Sequence, residues 1–291
     1  MTASETAPVA PTSRSASRTR IGVVSYLNTL PLIAGLEALE SIELEHAVPS
    51  GLIDRLLDGG VDLALVSAAD YQKSPEPLRI VPAGMLGCRG RTMTVRLYSR
   101  VPIPRISIVH GDTDSHTSVI LLQVLLRERH GLAVEMVDFD ARSIDLRDPA
   151  SPRPESLLLI GDKVIVAAPD HREYPYQLDL GEAWLESTGK PFVFATWMCR
   201  RDLDEAAESR VRTAAAVLDH QRRHNRTRLS NIVHRHAIAR GWPKFDADLY
   251  LSGMLRYEFG DAEAEGLRTF FAMAHRHGLL AQARPLEMLE I

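Results

Sequence analysis

The chain has 291 residues and a formal net charge of −4 at pH 7, and its length favours two lobes over one compact core. Hydrophobic residues make up 45% of the chain and charged residues 25%, which excludes general disorder. The net negative charge provides no overall attraction to nucleic acid or to an acidic membrane. A small anionic ligand would therefore need positive potential within a local site.

The first 19 residues are rich in Ala, Ser, Thr and Pro, and this composition predicts a disordered tail. They contain no apolar stretch typical of a secretory signal, and no later run is apolar for long enough to span a bilayer. We therefore expect a cytoplasmic protein that does not bind a membrane. Cys88 and Cys199 lack metal-binding spacing and are predicted to be reduced and buried, although sequence alone leaves a disulfide open.

The segment from residue 20 to residue 99 alternates between short apolar runs and amphipathic stretches. The predicted order is strand Ile21–Val24, helix Leu32–Glu40, strand Glu43–Val48, helix Gly51–Asp58 and strand Val61–Ser67. This βαβαβ order indicates a parallel sheet covered by helices. Residues 79–99 are predicted to add two more strands.

A second α/β set follows the proline-rich interruption at residues 101–104. Its predicted order is strand Ile106–Val109, helix Thr117–Arg129, strand Val134–Phe139, strand Leu157–Ile160, helix Gly181–Thr188 and strand Pro191–Met198. After Arg200 the pattern is helical only, with predicted helices at Asp202–Arg223, Leu229–Arg240, Asp246–Phe259 and Asp261–His277.

These patterns predict an α/β protein with two lobes and a C-terminal helical segment. We assign residues 20–99 and 200–291 to the first lobe and residues 100–199 to the second. Ligands of open parallel sheets bind beyond the carboxyl ends of the strands. The cleft between two such lobes is therefore the expected binding site.

Small polar residues follow several predicted strands and are candidates for this cleft: Ser25, Tyr26, Asn28, Ser67, Thr94, the run Asp114–Ser118, Gly161 and Asp162. The run at 115–118 precedes a long apolar helix, whose free N–H groups and hydroxyls suit a carboxylate or phosphate. The alternative for Ser115, Thr117 and Asn28 is a helix cap. Asp162 could be a cap, a ligand group or a general acid.

Motifs for metals and for the common cofactors are missing from the sequence. The spacing of His220 and His224, and of His234 and His236, is better explained by a solvated, arginine-rich helix face than by a metal site or nucleic-acid surface. The glycine-rich signatures of dinucleotide, ATP and serine-hydrolase sites do not occur. We therefore expect a protein without a metal or a cofactor.

Four segments in the same order resemble the chorismate dehydratase family of the futalosine route to menaquinone. They are Arg20–Leu32, which contains Ser25-Tyr26-Leu27-Asn28, then Ser115–Val119, Leu159–Asp162 and the run Asp179–Trp197. Each segment is a weak match alone, but four in the right order between residues 20 and 197 form a strong one. Two positions depart from the usual pattern of the family, since His116 stands where arginine is common and Thr94 where serine is common.

The resemblance implies a type II periplasmic-binding-protein fold and the conversion of chorismate to 3-[(1-carboxyvinyl)oxy]benzoate and water, a reaction that needs no cofactor. It implies Asn28 beside the reacting ring, with Asp162 as the other catalytic candidate. The implied substrate-binding residues are Ser25, Tyr26, Ser67, Thr94, Ser115, His116, Thr117 and Gly161. The C3 proton would be taken by the substrate's own side-chain carboxylate or by Asp162.

Two other functions stay open at this stage. One is a non-catalytic binding protein for an anionic solute, because a fold does not determine a function. The other is the sister enzyme of the same route, of the 1,4-dihydroxy-6-naphthoate synthase type, which shares the fold. The sequence gives no oligomeric state.

Overall fold

The computed structural model of the chain describes residues 18–142, 148, 151 and 153–291. Residues 1–17 of the predicted tail lie outside this range. Thr19, which the sequence analysis placed in the tail, is the first residue of a strand, and its N–H donates to the carbonyl of Ser41 at 2.9 Å. Within the described part of the chain, no helix is long and apolar enough to cross a membrane.

Among the described residues, the larger sheet has six strands. In spatial order it consists of β11 (Leu255–Arg256), β4 (Leu78–Cys88), β10 (Phe192–Arg200), β3 (Leu63–Ser67), β1 (Thr19–Val23) and β2 (Ile42–His46). Strand β1 runs parallel to β2 and β3, whereas β10 and β11 are antiparallel to their partners. All five residues of β3 are buried, as expected for a central strand with both faces covered.

The smaller sheet has five strands. In spatial order these are β7 (Glu135–Phe139), β6 (Ile108–Asp112), β8 (Ser156–Ile160), β5 (Val95–Ser99) and β9 (Tyr176–Asp179). Strand β6 is parallel to β7 and β8, and β5 is antiparallel to β8 and β9. The two sheets confirm the predicted mixed α/β class with two strand-rich parts.

The described residues form ten α-helices. They are α1 (Leu30–Ile33), α2 (Pro49–Leu57), α3 (Asp70–Lys73), α4 (His116–His130), α5 (Lys163–Val166), α6 (Leu180–Thr188), α7 (Glu205–Arg226), α8 (Leu229–His236), α9 (Lys244–Asp248) and α10 (Asp261–Arg276). Helix α4 begins at the N-cap Ser115 and ends at Gly131, which has the positive φ of 63° that glycine adopts without strain. Its apolar residues pack into a core shared with α6, α10 and β10.

Strand pairing differs from the predicted division of the chain. Strand β5 was assigned to the first lobe but belongs to the smaller sheet, and β10 was assigned to the second lobe but pairs with β3 and β4 in the larger one. The chain therefore passes between the sheets after Cys88 and returns before Phe192. Apolar runs identify strands but not their partners, which explains the difference. The limits of the lobes themselves stay a prediction.

The C-terminal segment is mostly helical, but two predictions for it are wrong. The predicted helix Asp246–Phe259 is instead α9, a π-helical turn at Leu249–Met254 and the short strand β11. Strand β11 pairs with Gly87 and Cys88 of β4, so the segment is not helical throughout.

The strand β9 was missed because its residues, Tyr-Gln-Leu-Asp, are partly exposed and show no apolar run.

Candidate functional site

A cleft lies where strand ends of the two sheets meet, and it encloses about 630 Å³ of space, open solvent at the mouth included. The larger sheet contributes Ser67 and Phe194, and the smaller sheet contributes Val95 and Ile160. Six predicted site residues line it: Tyr26, Asn28, Ser67, Thr94, Ser115 and Gly161. The structure thus brings together polar residues that are far apart in the sequence, on a largely apolar wall.

A hydrogen-bonded chain crosses one wall of the cleft. The Asn28 side-chain nitrogen Nδ2 donates to the hydroxyl of Tyr250 at 3.1 Å, and that hydroxyl lies 2.6 Å from Oγ1 of Thr94. Oδ1 of Asn28 accepts a bond from Thr29 at 3.3 Å. An amide nitrogen carries two hydrogens, so Asn28 retains one N–H that can donate to a ligand. Asn28 makes no side-chain cap, which removes the capping alternative.

A second polar group joins the two sides of the cleft. The hydroxyl of Tyr26 donates to Oδ2 of Asp114 at 2.6 Å, and Nζ of Lys163 lies 2.8 Å from the same oxygen. Lys163 also lies 2.6 Å from Asp112, and Arg142 lies 3.5 Å from Asp114. Two cations therefore balance two buried carboxylates, so this group leaves little net negative charge to repel an anionic ligand.

Hydrogen bonds to Asp179 hold the turn at residues 92–94, which includes Thr94. The Asp179 carboxylate caps α6 and accepts bonds from the N–H groups of Thr92 at 2.9 Å and Met93 at 2.8 Å. Met93 has a φ of 63°, the one non-glycine residue with positive φ in the described ranges. Such a conformation persists when its surroundings over-determine it. Asp179 supplies that constraint next to the cleft.

Gly181 follows this carboxylate, and the space around it is closed. A Cβ atom at position 181 would lie 2.5 Å from the carbonyl oxygen of Gly90 and 2.6 Å from Sγ of Cys88. The close approach of α6 to the turn therefore requires glycine. Packing thus explains the Asp179-Leu180-Gly181 part of the last of the four segments, Asp179–Trp197.

The start of α4 faces the cleft through Ser115 and Ser118. The Ser115 hydroxyl oxygen accepts a bond from the N–H of Ser118 at 3.2 Å, so Ser115 is the N-cap, as its capping alternative predicted. It nevertheless lines the cleft as well. The first N–H groups of a helix have no acceptor within the helix and carry its positive dipole end. This end of the cleft can therefore bind a carboxylate.

Four predicted site residues do not line the cleft. Ser25 is exposed and its Oγ lies 3.1 Å from Nδ1 of His46. Nδ1 of His116 lies 2.6 Å from Asp70, and the Thr117 hydroxyl accepts a bond from the N–H of Ala69 at 3.0 Å. Both contacts join the start of α4 to the segment after β3, where α3 begins. They hold the two sides together, and their roles in binding stay predictions.

The fourth of these residues, Asp162, lies behind the cleft. Its Oδ2 accepts a bond from the N–H of Leu27 at 3.3 Å, and burial raises the pKa of its carboxyl above the ordinary value. Gly161 beside it does line the cleft and has a φ of 68°. A Cβ there would lie 3.5 Å from the ring of Tyr26. Asp162 thus supports the loop that carries Tyr26 and Asn28.

The titration of the two cleft tyrosines limits what they can do. Burial raises the pKa of Tyr26, and its bond to Asp114 raises it further. Burial likewise raises the pKa of Tyr250. Both phenols therefore stay protonated near neutral pH, so they can donate hydrogen bonds but cannot serve as bases. The remaining ionisable side chain on the described lining is Asp114.

Sequence reasoning missed two polar lining residues, Thr92 and Tyr250. Asp114 and Ser118 were candidates for the cleft as part of the polar run at 114–118, but neither was given a role of its own. An acid after an apolar strand was the available signal for Asp114. Tyr250 carried no local signal, because it lay within a predicted continuous helix and reaches the cleft from the π-helical turn. Cys88 and Cys199 are buried and free, as predicted.

Comparison with known proteins shows the family to which the chain belongs. The profile of a protein family described as menaquinone biosynthesis matches residues 19–276. The chain belongs to this family. It is also 31% identical over 265 residues to the curated chorismate dehydratase of Thermus thermophilus, with 86% of this chain and 93% of that protein covered.

Solved structures similar to this member of the menaquinone biosynthesis family establish its fold. The alkanesulfonate-binding protein from Xanthomonas axonopodis matches with a TM-score of 0.65 at 12% identity, over 93% of this chain and 96% of that one. A Candida albicans protein with the generic periplasmic-binding-protein fold matches at 0.64 and 11% identity, over 94% and 98%. The chain has this fold, as predicted.

Proposed function

We propose that this chain is a chorismate dehydratase, a hydro-lyase that converts chorismate to 3-[(1-carboxyvinyl)oxy]benzoate and water. The observation that carries the proposal is the 31% identity to the Thermus thermophilus enzyme across 93% of that enzyme's length. The chemistry of the cleft supports it. The proposed substrate is an intermediate of biosynthesis, so the proposed location is the cytoplasm.

The cleft suits the two parts of this substrate. The ring of chorismate would lie against apolar side chains such as Leu65, Ile160 and Phe194, which line the cleft. One carboxylate would bind at the start of α4, where the Ser118 hydroxyl, held by a bond from the Ser115 hydroxyl at 3.0 Å, and the free N–H groups provide donors. Binding in this position would orient the C3–H and C4–O bonds, and orientation alone can lower a barrier by up to about 7–11 kcal/mol.

The driving force for the reaction lies in the substrate. Loss of the C3 proton and of the C4 hydroxide, which combine to form the one water released, leaves an aromatic ring. The protein must position the groups and help the hydroxyl leave. The free N–H of Asn28 would donate to the departing oxygen, with the amide held in place by Tyr250 and Thr94. One such donor, aligned with developing negative charge, is typically worth about 10²–10³ in rate.

The proton would be taken by the substrate's own enolpyruvyl carboxylate. Three features of the protein support this assignment. The two cleft tyrosines are protonated, Asp114 is already engaged by Tyr26 and Lys163, and Asp162 is not on the lining of the cleft. An analogue with an amide in place of the side-chain carboxylate should then turn over very poorly. Full turnover of the amide would overturn this assignment.

Incubation of the purified protein with chorismate, followed by mass spectrometry, tests the function. We expect loss of one water and appearance of the aromatic ether, with chorismate consumed in equal amount. Binding without turnover would instead indicate a solute-binding protein. No reaction with chorismate but turnover of a later futalosine-derived intermediate would indicate the sister enzyme.

A further inference from the structure

A second cavity, separate from the cleft, lies beside the C-terminal helices and encloses about 1150 Å³, open solvent included. Four arginines line it, Arg89, Arg222, Arg226 and Arg256, together with Glu258 and Glu263. Four positive and two negative side chains give it a formal charge of +2, on a chain whose net charge is −4. The cavity is therefore a local positive region on an acidic protein.

Arg222 is the buried member of this group. Its side chain is 10% exposed, its Nη2 donates to Asp219 at 2.6 Å, and its Nη1 lies 4.0 Å from Glu258. Its Nε is buried without a hydrogen-bond partner among the described residues. Glu258 is 70% exposed and can turn away into solvent. Burying an arginine with unused donors is costly, so a ligand that reached this guanidinium would gain binding energy there.

The other three arginines are exposed and form no ion pair among the residues that the structure describes. Glu263 is already engaged, since its carboxylate accepts the N–H of Gly260 at the start of α10. Arginine presents a planar set of donors that matches phosphate and carboxylate groups. Several unpaired arginines around one concave space are therefore matched to a compact ligand with several negative charges.

The wall between this cavity and the cleft is the π-helical turn Leu249–Met254 with β11. Tyr250 lines the cleft, whereas Ser252, Gly253 and Met254 line the basic cavity, and Leu255 borders both. A ligand in the basic cavity would thus contact the same turn that carries Tyr250. We propose that the basic cavity is a second binding site, for a small molecule with two or more phosphate or carboxylate groups.

Calorimetric titration with inorganic pyrophosphate, and separately with citrate, tests this site without reference to catalysis. We expect saturable binding of at least one of them in the millimolar range or tighter. The triple variant R89Q/R226Q/R256Q should weaken that binding by at least about tenfold, since each change removes a charged donor. A preference for pyrophosphate or for citrate identifies phosphate or carboxylate as the recognised group.

Two controls make the test specific. The variant R105Q/R172Q/R235Q makes the same change of charge at three exposed arginines that do not line the cavity, and it should bind within about twofold of wild type. Asn28→Asp, which adds a negative charge to the cleft, should also bind normally. An equal loss in the first control, a loss in Asn28→Asp, or no saturable binding of either anion by the wild-type protein would overturn the proposal.

Discussion

The side-chain nitrogen of Asn28 lies 3.1 Å from the hydroxyl oxygen of Tyr250, although the two residues are 222 positions apart in the chain. Tyr250 is 1% exposed, so its hydroxyl depends on partners from the protein. Its second contact, at 2.6 Å, is Thr94. The contact therefore fixes the amide of Asn28 in the cleft and links the C-terminal segment to the first loop.

Tyr250→Phe should lower the turnover of chorismate while the protein stays folded. The change removes one hydroxyl and frees the Asn28 amide to rotate, while leaving buried partners without a bond, at a cost of about 1–3 kcal/mol. We expect kcat for chorismate to fall by at least about tenfold with a cooperative unfolding transition retained. Tyr174→Phe is a matched control, because Tyr174 is also buried but donates to the carbonyl of Pro154 away from the cleft. Equal kcat values in both variants would contradict the positioning role.

Ser115→Ala should weaken substrate binding beyond its effect on the helix. Loss of an N-cap costs about 0.5–2 kcal/mol of stability, and Asp204→Ala removes the cap of α7, a comparable loss outside the cleft. We expect both variants to unfold earlier in urea, but only Ser115→Ala to raise KM for chorismate. If KM is unchanged in both, Ser115 is a cap without a binding role.

Gly181→Ala should destabilise the protein and disturb the turn at Thr92–Thr94. The added methyl group would meet the Gly90 carbonyl at 2.5 Å, and such overpacking typically costs about 1–3 kcal/mol. Gly189→Ala is a control with open space, although its φ of 69° adds its own strain. Urea unfolding should show the larger loss for Gly181→Ala together with a fall in kcat. A Gly181→Ala protein with wild-type kcat would show that the turn does not depend on this contact.

Asp162→Asn should change how stability depends on pH. Burial raises the pKa of the Asp162 carboxyl in the folded protein, so the folded state holds this proton more tightly than the unfolded state. The unfolding free energy of the wild type therefore falls as pH rises from the ordinary carboxyl pKa through the raised one. The Asn side chain keeps an acceptor for Leu27 but loses that titration.

The stability of Asp162→Asn relative to wild type should accordingly increase between about pH 4 and pH 7, as measured by urea unfolding at several pH values. A difference that is constant across this range would contradict the burial argument. Turnover of the same variant also separates the two proton acceptors. Loss of all activity in a folded Asp162→Asn protein would favour Asp162 as the base over the substrate carboxylate.

The local pattern was sufficient to predict most of the secondary structure, and six of the ten candidate site residues line the cleft. Ser67, Ser115 and Gly161 follow or precede elements whose apolar runs are easily recognised, and all three line the cleft. His116 and Thr117 lie in the same motif, but a helix turns successive side chains to different sides. They therefore contact Asp70 and Ala69 instead.

Other features depended on contacts between distant parts of the chain. The pairing of β10 with β3, and of β11 with β4, joins segments more than a hundred residues apart, and no local period encodes it. Tyr250 could not be found for the same reason. A predicted α-helix places its side chains by a period of 3.6 residues. The π-helical turn departs from this period, so the prediction does not put Tyr250 on the cleft.

The most direct test of the account is the rate at which Asn28→Asp forms the aromatic product from chorismate. The substitution keeps the shape of the side chain but replaces the donor with a negative charge beside a dianionic substrate. We predict a normally folded protein whose turnover is lower than that of the wild type by a factor on the order of a hundred or more. An Asn28→Asp protein that dehydrates chorismate at the wild-type rate would contradict the account.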